Sequence, residues 1–140
     1  MKILFITSSL EPNDGWGRYS NNLIKEISKG NEVFVASHSS YKVDDIQPSP
    51  ILYSPLSVAN PIKIFVTARN IQKIISSFQP EIIHFLSEPY VLFLPFLKLD
   101  KNIKTFLTVH GTYSFIPLRF KNETIKLWIT SLLAKKAYKN

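Results

Sequence analysis

Lys2-Ile3-Leu4-Phe5-Ile6-Thr7, followed by Gly15-Trp16-Gly17-Arg18-Tyr19-Ser20, form the stretch on which the fold turns. The first run is short, apolar, β-branched and aromatic, the pattern of a strand buried on both faces of a parallel sheet. Beyond the glycines, Tyr19, Leu23, Ile24 and Ile27 recur at helical spacing, and Gly30 stands where a helix-ending glycine would. Glycines ahead of a helix N-terminus let backbone N–H groups approach an anion closely, and the helix dipole favours negative charge there. A phosphate-bearing ligand is the first expectation from this segment, with a glycine turn that holds no ligand as the plain alternative.

A nicotinamide dinucleotide fits poorly. Its fingerprint places the first glycine directly after the strand, whereas Ser8 to Asp14 intervene here. It also ends the second strand on an acid for the ribose, yet Glu32-Val33-Phe34-Val35-Ala36-Ser37 ends on serine and then His38. The pattern is Rossmann-like without being a dinucleotide site.

The rest of the chain supports this frame. The coarse reading runs from a strand at 2–7 to a helix near 17–29 and a strand at 32–37. A proline-rich stretch follows, with one short strand around Ile51 to Ser54. From Pro61 to Phe78 an apolar stripe of Ile64, Ala68, Ile71, Ile75 and Phe78 marks a helix, with proline at its first position. A strand at Glu81 to Phe85 leads into an apolar segment opened by Ser87-Glu88-Pro89 and running to Leu97. Lys104 to Val109 reads as another buried strand, broken at His110-Gly111. Asn122 or Thr124 would cap a long helix to about Tyr138, with Ile125, Trp128, Ile129, Leu132, Leu133 and Ala137 inward. Alternating strands and helices imply an α/β fold, a parallel sheet with helices on both faces. Ligands of such sheets bind outside the strands' carboxyl ends. Those ends are Ser8 to Arg18, Ser37-His38, Phe85 to Glu88 and His110 to Ser114, and every glycine but Gly30 and all three histidines fall in or beside them.

Composition sets outer limits. With 140 residues, 45% hydrophobic and 19% charged, the chain is one globular domain with a real core rather than a disordered one. The absence of cysteine excludes a disulfide framework and a Cys-ligated zinc. The histidines lack paired spacing and Asp44-Asp45 reads as a solvated loop, so no metal is expected. No Ser-His-Asp arrangement follows from spacing, since such triads are defined by geometry. Ile82 to Leu97 falls short of the ~20 residues a membrane span requires and carries His84, Glu88 and two prolines. Met1-Lys2 and four apolar residues are too short for a signal-peptide core, which makes the cytoplasm the expected compartment.

The net charge of +7 is localised. Residues 98–140 hold nine basic and two acidic side chains, while residues 1–97 balance at eight of each. For the basic C-terminal helix, three readings stand open. It is an ordinary solvated face, a surface for anionic lipid with Trp128 and Tyr138 suited to the interface, or a nucleic-acid contact. The last has the least support, because no nucleic-acid-binding motif accompanies it.

Taken in order, "KILFITSS…GWGRYSNNLIKEIS…NEVFVAS", "PEIIHFLSEP" and "TFLTVHGT" resemble the N-terminal, acceptor-side domain of the GT-B glycosyltransferases, specifically the glycosyltransferase 4-like group. The resemblance spans essentially the whole chain and rests on the order and spacing of the motifs. It implies two Rossmann-like domains across a cleft, of which residues 1–140 would be the first, incomplete, with the C-terminal nucleotide-sugar domain and its Glu-x7-Glu motif absent. It implies a retaining, metal-independent transfer of a sugar from a nucleoside diphosphate sugar to a hydroxyl, the acceptor being lipid-linked in several relatives. Gly15, Gly17 and Arg18 would face the donor diphosphate. His110, with Gly111, would lie near the transferred sugar.

On the residues themselves, His110 at a strand end before glycine can point into a cleft and bond a hydroxyl or phosphate, or can serve as a capping or core histidine. His84, inside a strand, reads as a satisfied core histidine before it reads as an acceptor-side one; His38 is a weaker candidate. Glu88 is placed for acceptor hydroxyls or as a helix-opening carboxylate. Tyr19 reads as core packing. The chain alone is expected to be inactive. The alternative function is a non-catalytic, membrane-associated subunit of a split glycosyltransferase, peripheral at the inner face of the membrane and dependent on a donor-binding partner.

Overall fold

The computed structural model describes residues 1–49 and 61–110, together with Lys136. The expected strand at Ile51 to Ser54, Gly111, and the basic helix from Asn122 or Thr124 to Tyr138 lie outside the described residues.

Four strands, β1 (Lys2–Thr7), β2 (Glu32–Ser37), β3 (Ile82–Phe85) and β4 (Lys104–Leu107), form one parallel sheet in the order β2-β1-β3-β4. β1 is central, which explains why Leu4, Phe5 and Ile6 are fully buried. Period-two alternation divides its side chains between two cores. Leu4 and Ile6 join Ile83 and Phe85 beneath helix α2 (Pro61–Phe78), where Ile64, Ala68, Ile71 and Ile75 form the expected stripe. Ile3, Phe5 and Val35 face helix α1 (Gly15–Ser28) through Ile24, closed by Leu10, Val43 and Leu86. The sheet is therefore covered on both faces by helices, and the fold is Rossmann-like α/β. Burying a Leu, Ile or Phe side chain fully stabilises the fold by about 1.5–3 kcal/mol each, so this central run anchors the domain.

The apolar segment after β3 is a long 3-10 helix, Glu88–Phe96, with Tyr90, Val91, Leu92 and Phe93 buried beside α2. Among the described residues, no helix is long and apolar enough to cross a membrane.

Two expectations change. Lys104 to Val109 is not a buried strand: β4 ends at Leu107, and Lys104, Thr105 and Phe106 are exposed. Among the described residues β4 pairs on one side only, with β3, and α1 packs over β1 and β2 rather than reaching it. Gly30 is not a left-handed helix terminator either, since no glycine has positive φ among the described residues. Instead Lys29 and Gly30 N–H groups donate to Glu26 and Ile27 carbonyls at 3.4 Å, tightening the last turn, and Asn31 Nδ2 donates to the Ile27 carbonyl at 2.9 Å.

Candidate functional site

The chain leaves β1 toward β2 on one side and later returns to place β3 on the other. The carboxyl ends of β1 and β3 thus frame a topological switch point, the crevice where open α/β sheets bind ligands.

A knot of buried hydroxyls closes the floor of this crevice. Ser87 Oγ accepts from the Ser8 backbone N–H at 2.9 Å and shares a hydrogen bond with Ser8 Oγ at 2.8 Å. Thr7 Oγ1 bonds Ser20 Oγ of α1 at 3.0 Å and donates to the Ser9 carbonyl at 3.1 Å. Thr7, Ser20 and Ser87 are each at most 1% exposed. Every one of these hydroxyls has a partner, so the knot ties both strand ends to α1 rather than offering free groups.

The loop between β1 and α1 is equally well held. Ser9 Oγ accepts from the Glu11 N–H at 3.2 Å, and Asp14 N–H donates to the Glu11 carbonyl at 3.1 Å. Ser39 Oγ donates to Glu11 Oε1 at 3.0 Å, which pins the loop to the end of β2. Gly17 is required by this packing: a Cβ there would lie 2.3 Å from the Glu11 carbonyl oxygen. Gly15 differs, because a Cβ there would meet nothing within 4 Å. Its bareness leaves the first residue of α1 open to an approaching group. Asp14 is the N-cap, its carboxylate accepting from Trp16 N–H at 3.2 Å. That carboxylate offsets part of the positive end of the helix dipole. Arg18 is exposed and donates through Nε to the Pro12 carbonyl at 3.3 Å.

His110 arrives at the same place from the end of β4. Its ring stacks on Trp16 at 5.9 Å and 22°, and Tyr19 meets it edge-on at 4.7 Å and 81°. Among the described residues, His110 Nε2 is buried with no hydrogen-bond partner. An unpaired ring nitrogen held between two aromatic rings is costly, and a polar ligand atom would relieve that cost. Tyr19 is therefore not core packing as expected. It is 41% exposed, because the first turns of α1 stand at the carboxyl edge and meet His110 instead of the sheet.

His84 lies one strand in, between the rings of Phe5 and Phe106. Its Nε2 shares a 2.9 Å hydrogen bond with Thr108 Oγ1, and burial pushes its pKa below the ordinary value. It is a partnered, half-buried histidine that holds the β4 end on which His110 follows. Glu88, half-buried, opens the 3-10 helix directly after Ser87 at the end of β3. His38 is exposed after β2, and Asp44 forms a surface ion pair with Lys25 at 3.0 Å. The structure thus sets His110 against Trp16 and Tyr19, on the same first turns of α1 that carry Gly15, Gly17 and Arg18; it pairs His84 with Thr108 and places Glu88 next to Ser87 of the hydroxyl knot.

A family model described as Glycosyltransferase Family 4 matches residues 13–139, from the β1–α1 loop onward. The chain belongs to glycosyltransferase family 4. No curated protein matches it. Family membership makes this Rossmann-like sheet a glycosyltransferase domain, with glycosyl transfer as its general chemistry. Within this family 4 domain, sequence reasoning missed two features, the hydroxyl knot and the Trp16–Tyr19 clasp on His110. The signal for the first was present: Thr7-Ser8, Ser37 and Ser87 put small hydroxyl residues at the ends of three apolar strands.

Proposed function

We propose that this chain supplies the acceptor-side domain of a GT-B glycosyltransferase, which moves a sugar from a nucleoside diphosphate sugar to a hydroxyl acceptor. One observation carries the reading: His110 meets the first turns of α1 outside the carboxyl ends of β1 and β3, with its Nε2 unpartnered. The donor diphosphate approaches at Gly15, where the backbone is bare. Helix N-terminal N–H groups and Arg18 meet charge developing on the leaving group, without a metal ion. Asp14 works against them, and the remaining cations come from a donor-binding domain or separate subunit.

In the transfer, the bond from the anomeric carbon to the phosphate oxygen breaks, with its electron pair leaving on the diphosphate. The acceptor oxygen forms the new bond, and its proton passes to the leaving group. His110 takes a sugar or acceptor hydroxyl at Nε2 and orients it, with Gly111 beside it. Glu88 and His84 lie toward the acceptor.

The test is turnover in the enzyme carrying its donor-binding domain or subunit. His110→Ala lowers kcat/KM at least tenfold while the far-ultraviolet circular dichroism stays unchanged; wild-type turnover would refute the assignment. Gly17→Val is the poorer probe, since its Cβ collides with the Glu11 backbone whatever the ligand.

A further inference from the structure

Helix α2 carries Lys63, Arg69 and Lys73 and no acidic residue along its whole length. Its outward side carries exposed apolar residues. Phe65 is 65% exposed, and across from it Phe96, at the end of the 3-10 helix, is 47% exposed. Phe65, Ala68, Arg69, Lys73, Phe96 and Lys98 line one open groove, and among the described residues none of the side chains along it is acidic. The nearest acid in sequence, Asp100, accepts from the Asn102 N–H at 2.9 Å and is not part of the groove.

The groove is held in shape. Gln72 Nε2 donates to the Lys98 carbonyl at 3.2 Å, and Gln72 Oε1 accepts from the Lys98 N–H at 2.7 Å. This paired contact fixes Phe96 and Lys98 beside α2, so the two exposed rings and three cations form one surface rather than scattered side chains. Single exposed apolar residues need no explanation; aromatic rings ringed by cations alone do.

We propose that this α2 face docks on an anionic lipid surface. Phe65 and Phe96 enter the boundary between headgroups and acyl chains, and Arg69, Lys73 and Lys98 meet lipid phosphates. Charge complementarity selects an anionic surface over a zwitterionic one, and the two exposed rings beside the cations fit the headgroup–acyl boundary of a bilayer. The orientation follows from the topology. α2 connects the carboxyl end of β2 to the amino end of β3, so Phe65, near its start, lies toward the carboxyl ends where the candidate site opens. Docking there presents that edge to the membrane. The proposal concerns a different surface from the basic residues beyond Lys104 and does not depend on the transfer reaction.

The experiment is co-sedimentation of the full chain with phosphatidylcholine vesicles, with and without phosphatidylglycerol, at low and high salt. The wild-type chain pellets with the mixed vesicles at low salt and not with phosphatidylcholine alone. Each exposed cation is worth about fivefold in partitioning, so Arg69→Gln/Lys73→Gln/Lys98→Gln weakens binding about a hundredfold. Phe65→Ser/Phe96→Ser weakens it independently; all five positions are exposed, and circular dichroism verifies the fold. A parallel variant, Lys135→Gln/Lys136→Gln/Lys139→Gln, retains most binding. The proposal is overturned if the chain stays off mixed vesicles, if it binds phosphatidylcholine equally well, or if only the C-terminal variant loses binding.

Discussion

His84 shows how a single half-buried side chain can carry a pH signature of its own. Unfolded, its imidazole takes a proton near the ordinary value of 6.5; folded, burial between Phe5 and Phe106 lowers that value. The unfolded chain therefore binds the proton first as pH falls, and the native state loses stability below about 6.5. Above that pH neither state is protonated and the contribution vanishes. The urea midpoint of the wild-type chain should accordingly fall more between about pH 7.5 and about pH 5.5 than that of His84→Gln, which keeps a partner for Thr108. Equal slopes in the two proteins would show that His84 does not titrate with folding. Sequence alone left this histidine poised between core and site, because nothing near residue 84 announces Thr108 as its partner. His110 was easier to place, since the end of the apolar run before it puts it past the last strand. Its clasp by Trp16 and Tyr19 was hidden, because helical spacing assigns Tyr19 to the apolar stripe without saying where the sheet beneath that stripe ends.

Among the elements, α1 most directly couples stability to ligand charge. Asp14 caps it, and an N-cap carboxylate is worth about 1 kcal/mol relative to alanine, whereas asparagine caps equally well. Asp14→Ala should destabilise the chain by about 1 kcal/mol, and Asp14→Asn by a few tenths at most. Donor binding should respond differently. In the complete enzyme, Asp14→Asn removes a negative charge from the helix end proposed to receive the diphosphate, and the donor Kd should drop a few-fold at low salt. A Kd unchanged or raised by Asp14→Asn would place the diphosphate elsewhere. The helices were legible because their patterns are local: Ile64, Ala68, Ile71 and Ile75 announce α2 by spacing alone. The depth of β4 was not. Phe106-Leu107 reads as apolar whether the strand is central or at an edge, and only the order β2-β1-β3-β4 decides which. The hydroxyl knot escaped for a related reason, since Thr7 and Ser87 stand 80 residues apart and meet only through the pairing of β1 with β3.

At the scale of the whole molecule, two surfaces divide the work of one Rossmann-like domain. Toward the strands' carboxyl ends, His110 meets Trp16 and Tyr19 on the first turns of α1, and paired hydroxyls tie the ends of β1 and β3 to that helix. On the outer side of α2, Phe65, Phe96 and three cations form an acid-free face. The central claim concerns the first of these, and spectroscopy of the assembled, active enzyme tests it most directly. With the chain isotopically labelled, a panel of nucleoside diphosphate sugars should move the amides of Gly15 to Arg18, the Trp16 indole and the His110 imidazole together, leaving the α2 face unmoved. A donor that is turned over while the His110 ring and the first turn of α1 stay unshifted would contradict the account.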